Sequence, residues 1–329
     1  MKRVLLITTG GTIASTPSED GLRPTTLGQG LLSLLGPIAY DVTVHDLLSL
    51  DSSNVQPEEW QLMARTVFEE RAQYDGIVIT HGTDTMAYTA SMLSFMLPGI
   101  DVPVVLTGSQ LPIFHPLSDA PDNLRTAFAM ATSGINGVFV AFDRKVLLGC
   151  RTVKVRTTGF DAFDSVNLPP VARISSDGLV INHTLLPKWD ATCTLKDAVD
   201  SHVTLVKLIP GLDPRILDAI AQLECRGLVL EAFGSGGLAF IRRDLVSALE
   251  QLVVRGISVV VCSQCLYERS DMTTYEVGRR ALQKGVIPGA DMTSEAAVTK
   301  LMWALANTGS QQGIAELFSK SLVGEITVE

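Results

Sequence analysis

The sequence of 329 residues holds no apolar run that approaches the roughly 20 residues a membrane-spanning helix needs; its hydrophobic stretches are broken by Gly, Pro and charge. The start, Met1-Lys2-Arg3 followed by four apolar residues, lacks the longer apolar stretch of a secretory signal. No membrane partner is expected, and the cytoplasm is the expected location. Charge is also sparse. Only 19% of residues are charged and the net charge is -9, so there is no basic surplus to neutralise a phosphate backbone, and nucleic acid is not expected as the main ligand. Five scattered cysteines are an odd number and make no disulfide framework; they fit reduced thiols. Cys262 and Cys265 do form a C-x-x-C pair after the strand-like "ISVVV". No second pair accompanies them and the five histidines all lie at or before His202, so they read as two half-buried thiols at a strand end rather than a zinc or redox site.

What is present is apolar: 46% hydrophobic content is enough for a sizeable core, in one large domain or two of ordinary size. Short β-branched runs alternate with longer helical patterns, which predicts an α/β fold with a mostly parallel sheet flanked by helices. Pro57 opens a helix with Trp60, Met63, Ala64, Val67 and Phe68 at helical spacing, and Ile77-Val78-Ile79 follows as a buried strand. "HGTDT" begins another helix, a further helix is expected from about Asp122 to Ser133, and Arg144 to Thr157 reads as an antiparallel hairpin. The pattern weakens between 185 and 201. The expected organisation is a larger N-terminal α/β domain over 1–184, a linker over 185–201 and a smaller C-terminal α/β domain over 202–329.

The Gly-rich stretch "TTGGTIAS", Thr8 to Ser15, lacks the third glycine of a dinucleotide fingerprint and the lysine of a P-loop. Thr12 is left to cap a tight turn or to do chemistry. In open α/β sheets ligands sit beyond the carboxyl ends of the strands, where several loops can converge. Four such loops carry polar groups: Thr9-Gly10-Gly11-Thr12, Asp51-Ser52-Ser53-Asn54, Thr80 to Thr85, and Thr107-Gly108-Ser109-Gln110. With Lys154 they supply two threonine nucleophile candidates, carboxylates, an amine and several donors, which suits acyl transfer. A threonine hydroxyl needs a base, and a lysine in its neutral form can serve as one. Asp84 could hold that lysine or bind a substrate amino group. His81 and His115 are possible bases too, although a strand-end histidine bonded to backbone is the commoner role.

Taken together, "TTGGTIAS", "DSSNV", "ITHGTDTMAYTA", "LTGSQLP", "RTVKVRTTGFDAF" and "YEVGRR" resemble the bacterial L-asparaginases of the cytoplasmic, type I kind, in order and over essentially the whole chain. The resemblance implies hydrolysis of L-asparagine to L-aspartate and ammonia through a threonine acyl-enzyme. Thr12 matches the primary nucleophile. Thr83, Asp84 and Lys154 match the second catalytic group, with Lys154 activating Thr83 and Asp84 orienting the lysine and binding the substrate α-amino group. Asp51, Ser52 and Ser53 match the loop that holds the α-amino and α-carboxylate groups, and Ser109 lines the amide end of the pocket. The resemblance implies no metal and no organic cofactor, and homodimers or homotetramers with active sites near the interface between the large domain of one subunit and the small domain of another. Two departures stand out. Leu22 occupies the position where many members carry an activating tyrosine, in the loop Ser15 to Thr26 that reads as a lid. "FGSGG", Phe233 to Gly237, lacks an asparagine that some relatives contribute across the interface, with Glu268 and Asp271 in the region of the neighbour's acidic residue. Two other readings are carried: the amidase subunit of a tRNA-dependent amidotransferase, which has an extra N-terminal domain and for which no basic tRNA-facing tract is evident, and a non-catalytic amino-acid sensor, which would not need both threonines.

Overall fold

A computed structural model describes residues 1–18, 21–187 and 192–327. The chain divides into two compact units, Met1–Asp197 and Ala198–Glu329. Of the stretch expected as a linker, 188–191 lie outside the described residues, and the residues just after them bond to the first unit: Thr194 N donates to Pro98 O, Lys196 N to Met96 O, and Arg65 pairs with Asp197.

The first unit runs β1 (Arg3–Gly10), a short hairpin of β2 (Ser15–Ser18) and β3 (Gly21–Pro24), α1 (Gly28–Leu35), β4 (Asp41–Leu50), α2 (Pro57–Glu70), β5 (Gly76–Thr80), α3 (Met86–Met96), β6 (Pro103–Thr107), α4 (Ala120–Ala131), β7 (Gly137–Phe142), β8 (Lys145–Leu148), β9 (Thr152–Lys154), β10 (Phe163–Ser165), β11 (Ala172–Ser175) and β12 (Gly178–Ile181). Eight of these strands form one sheet in the order β12-β11-β8-β7-β6-β5-β1-β4. The five from β7 to β4 are parallel, and β8, β11 and β12 extend the sheet antiparallel. β5, β6 and β7 are buried along their whole length, which is why they read as unbroken apolar runs rather than alternating ones. α2 begins at Pro57 as expected, with the Glu59 carboxylate accepting from Gln56 N at 2.7 Å. α4 opens two residues before the expected Asp122, since Pro121 is tolerated in a first turn where its missing N–H has no intrahelical partner.

The hairpin expected over 144–157 does not form. β8 pairs antiparallel with the preceding β7, through a two-residue turn at Asp143 and Arg144, both left-handed with φ of 50° and 57°. That turn suits the twist of a tight hairpin but uses neither glycine nor asparagine, so composition gives no hint of it. A 3-10 turn over Gly149–Arg151 then redirects the chain, and β9 pairs with β10, setting Lys154 opposite Phe163.

The second unit comprises β13 (Val203–Lys207), α5 (Arg215–Gln222), β14 (Gly227–Ala232), α6 (Leu245–Val254), β15 (Ser258–Ser263), α7 (Glu276–Gln283), β16 (Ile287–Pro288), α8 (Ser294–Asn307) and α9 (Gln311–Phe318). Its four strands are parallel in chain order, over a core that includes Leu228, Leu230, Leu249, Val259 and Val261. The C-terminal segment is tied down from within. Lys300 on α8 and Glu325 are both fully buried and bonded to each other, Glu325 also accepts from Leu322 N and Val323 N, and the Asp291 carboxylate takes both Thr327 N and Thr327 Oγ1.

Candidate active site

β4, β1, β5 and β6 are adjacent and parallel, so the loops that follow them leave the same edge of the sheet. These are the four loops singled out in the sequence. Thr12 starts a 3-10 turn two residues past β1, half-buried, and its hydroxyl has no hydrogen-bond partner among the described residues. The turn is braced by Ser15 Oγ donating to Gly11 O at 2.9 Å and by Thr25 N and Thr26 N donating to Ala14 O. The side chain of Leu22, the residue expected where relatives carry a tyrosine, lies outside the described residues.

Gly11 and Gly82 bring the loops together. Gly11 adopts φ 78° and ψ 178°, a conformation essentially reserved for glycine, and a Cβ there would stand 2.5 Å from both Cα and N of Gly82. A Cβ on Gly82 would in turn meet Ser52 Oγ at 2.5 Å. Ser52 is buried and joins the loops by its polar atoms as well: its Oγ accepts from Asp84 N at 3.2 Å and its carbonyl accepts from Thr85 Oγ1 at 2.7 Å. The neighbouring Asp51 carboxylate is exposed and accepts from Ser53 Oγ and Ser53 N at 2.6 and 2.8 Å; these bonds hold its pKa below the ordinary value and keep it ionised.

Thr83, Asp84 and Lys154 meet although about 70 residues separate them. Lys154 Nζ donates to Thr83 Oγ1 at 2.8 Å and to Asp84 Oδ1 at 2.6 Å. Thr83 is buried, the Lys154 side chain is 18% exposed and the Asp84 side chain 64%. The amine is thus placed between a sheltered hydroxyl and a carboxylate open to an incoming cation. Ser109 is buried and donates its hydroxyl to Leu111 O, so it faces any ligand only as an acceptor. Gln110 beside it belongs to one of the four polar loops, yet its sequence context assigns it no role. It is the residue Thr83 reaches on its other side: Thr83 Oγ1 and Gln110 Oε1 are 3.4 Å apart. Nothing in composition distinguishes Gln110 from the rest of its loop.

The two histidines considered as bases are placed otherwise. His81 is fully buried, its Nδ1 2.7 Å from Gly82 O and its Nε2 3.0 Å from Thr89 Oγ1, which also accepts from Trp60 Nε1. A carbonyl can only accept, so Nδ1 carries the proton, and burial pushes the ring's pKa down to about 4. His115 is exposed, with Nδ1 accepting from Leu117 N. In the second unit, Phe233 and Gly237 close a tight bridge, Glu268 is exposed with φ 76°, and the Asp271 carboxylate is engaged by Thr273 and Thr274. Cys262 and Cys265 are not equally half-buried as expected. Cys262 is sealed and its thiol pushed up to about 12, whereas Cys265 is exposed. Among the described residues no group of three or more His, Cys, Asp or Glu side chains is placed to hold a metal ion, and no helix is long and apolar enough to cross a membrane.

Residues 3–186 match the family model for the N-terminal asparaginase domain, and residues 202–318 match that for the glutaminase/asparaginase C-terminal domain. An L-asparaginase of Thermococcus kodakarensis is 45% identical over 329 residues, 99% of each chain. The solved structure of the thermostable L-asparaginase from Thermococcus kodakarensis superposes with a TM-score of 0.94 at 44% identity, covering 99% of this chain and 100% of that one. A glutamyl-tRNA(Gln) amidotransferase subunit of Methanosphaera stadtmanae is 34% identical over 340 residues, 99% of this chain and 77% of the other. With both halves matched in order and the whole chain spanned by such relatives, this protein belongs to the asparaginase family of amidohydrolases.

Proposed function

We propose that the chain hydrolyses L-asparagine to L-aspartate and ammonia through a covalent threonine ester. Thr12 Oγ attacks the side-chain amide carbon; the C–N bond breaks and ammonia departs with the proton it needs. Water then adds to the Thr12 ester, the C–O bond breaks, and the hydroxyl is restored as aspartate leaves. The observation that carries this reading is the Lys154 amine held at 2.8 Å from Thr83 Oγ1 and 2.6 Å from Asp84, on a loop pressed against the one that begins Thr12. In this reading Lys154 and Thr83 relay the proton to and from the reacting atoms, and Asp84 keeps the lysine in place. The α-ammonium group of the substrate is met by the exposed carboxylates of Asp84 and of Asp51 with Ser53, an arrangement supported by the bonds that keep Asp51 ionised. Ser52 ties the loops, its oxygen accepting from Asp84 N, and keeps its hydroxyl proton to donate to the substrate α-carboxylate. Ser109 accepts from the amide N–H of the substrate.

Purified protein should release ammonia from L-asparagine, and Thr12→Ala should keep substrate binding and lose turnover. No ammonia from folded wild-type protein would sink the activity, and unchanged turnover in Thr12→Ala would remove the ester. The likeness to the Methanosphaera stadtmanae amidotransferase subunit favours a second reading, glutamine hydrolysis coupled to a charged tRNA; a net charge of -9 weighs against it, and a glutaminase rate that rises only with tRNA and a partner protein would establish it. A cytoplasmic location is supported by five cysteines that form no disulfide among the described residues. Homodimeric or homotetrameric assembly is carried from the family resemblance and is checked by light scattering.

A further inference from the structure

We propose that Gln110 is a positioning residue for Thr83: it takes the Thr83 hydroxyl proton as a hydrogen bond and so turns the Thr83 oxygen into an acceptor toward the substrate side. The inference rests on the reading of the site given above. It follows from which atoms can donate. Gln110 Nε2 lies 3.0 Å from Thr157 O and 3.1 Å from Gly159 O. Two carbonyls accept only, so the amide nitrogen must face them, and this settles the orientation of the Gln110 side chain. Its Oε1 is thereby turned toward Thr83 Oγ1, 3.4 Å away, and an amide oxygen accepts only.

On its other side Thr83 Oγ1 receives an N–H from Lys154 at 2.8 Å. A hydroxyl has one proton and two lone pairs. While Lys154 donates to Thr83, the hydroxyl proton is directed to Gln110 and the remaining lone pair is free to accept from an attacking water or from the nucleophile; in the relay that proton swings from Gln110 to Lys154 as the new one arrives. At 3.4 Å the bond to Gln110 is long, and such bonds tighten when a site fills.

The anchor of Gln110 is itself built. Its backbone N donates to both oxygens of Asp119, at 3.1 and 3.0 Å, and Asp119 also accepts from Leu111 N and from Asn123 Nδ2. The carbonyls of Thr157 and Gly159 belong to a loop closed by Val155 N donating to Ala162 O at 2.8 Å and by the Arg156–Asp161 ion pair. Gln110 is thus held from its own β6 loop and from the loop between β9 and β10 at once. An amide oxygen is too weak a base to remove the proton, so Gln110 orients and does not titrate.

Two measurements test this. In crystals of the deuterated, ligand-free wild-type protein, neutron diffraction should place the Thr83 hydroxyl deuterium toward Gln110 Oε1; a deuterium directed elsewhere overturns the proposal. This arm is independent of substrate, so it stands apart from the asparagine reading, which wild-type ammonia release decides on its own. In the kinetic arm, Gln110→Leu removes the acceptor and should lower kcat by about 10- to 100-fold with KM changed less than about threefold, the order expected from misplacing a group at the reacting atoms. Gln110→Glu keeps an acceptor for Thr83, gives up the donor to Thr157 O and Gly159 O, and adds a negative charge beside the Lys154–Thr83 pair. It should recover part of the kcat lost in Gln110→Leu and move the acid limb of the kcat–pH profile to higher pH, because the charge favours the protonated form of the pair. Equal losses in both variants with an unmoved pH profile would mean that Gln110 only holds the loop, and would overturn the proposal.

Discussion

Gly11 and Gly82 touch backbone to backbone, so closely that a Cβ on the first would lie 2.5 Å from Cα and N of the second. The loops bearing Thr12 and Thr83 can pack this closely only because Gly11 lacks a side chain, as Gly82 does on the side facing Ser52. Gly11→Ala would add a methyl group at that contact and force a residue into φ 78°, at a cost on the order of 1–3 kcal/mol for the backbone alone. The expected outcome is a fall in kcat of about 100-fold or more with a modestly lowered Tm, read from ammonia release and circular dichroism on the same preparation.

Lys154→Met should separate chemistry from folding. Its partner Asp84 is 64% exposed at the side chain, and ion pairs that open to solvent add about 0–1 kcal/mol, so the melting temperature should barely move. Turnover should drop by about 10²–10⁴, the range that a positioned proton-transfer group supplies. An unaltered rate at neutral pH would take Lys154 out of the mechanism.

His81 makes stability depend on pH. Its folded pKa, about 4, lies below the ordinary 6.5, so between those values the unfolded chain binds the extra proton and stability rises with pH. The contribution is present in full above about pH 6.5 and is lost as pH falls toward 4, by about 3 kcal/mol at most. Urea unfolding at pH 7 and pH 4.5 measures the slope, and His81→Gln should flatten it.

The buried pair in the second unit predicts an asymmetric mutational response. Lys300→Met leaves Glu325 without its cation in a fully buried site and should cost about 3–5 kcal/mol. Glu325→Gln takes the carboxylate from the buried Lys300 ammonium, but Lys300 keeps Lys320 O as an acceptor and the amide oxygen still serves Leu322 N and Val323 N, so the cost should be smaller. Chemical denaturation of both variants compares them directly.

Local signals carry far in this chain. The buried strands, the helix opened by Pro57 and the four polar loops are legible because each depends on near neighbours: an apolar run, a proline at a first turn, small polar residues after a strand. Parallel pairing of β4, β1, β5 and β6 then obliges those loops to emerge at one edge. The sequence alone therefore determined the α/β class, the two-part organisation and which polar loops share one edge of the sheet. Contacts between distant positions are another matter. The turn at Asp143–Arg144 is held by sheet pairing and by bonds to the distant α4, Arg144 to Asp122 and Asp143 N to Asn123 Oδ1, so the alternation that follows it suggests a single hairpin that the fold does not contain. The burial of His81, the bond from Asp84 N to Ser52 and from Ser109 to Leu111 O, and the meeting of Lys154 with Thr83 and of Gln110 with both Thr83 and the 157–159 carbonyls are decided by which loops the folded sheet brings into hydrogen-bonding reach of each other. Hydrogen bonds are short and directional, so their partners follow from three-dimensional placement, which residue type and spacing leave open.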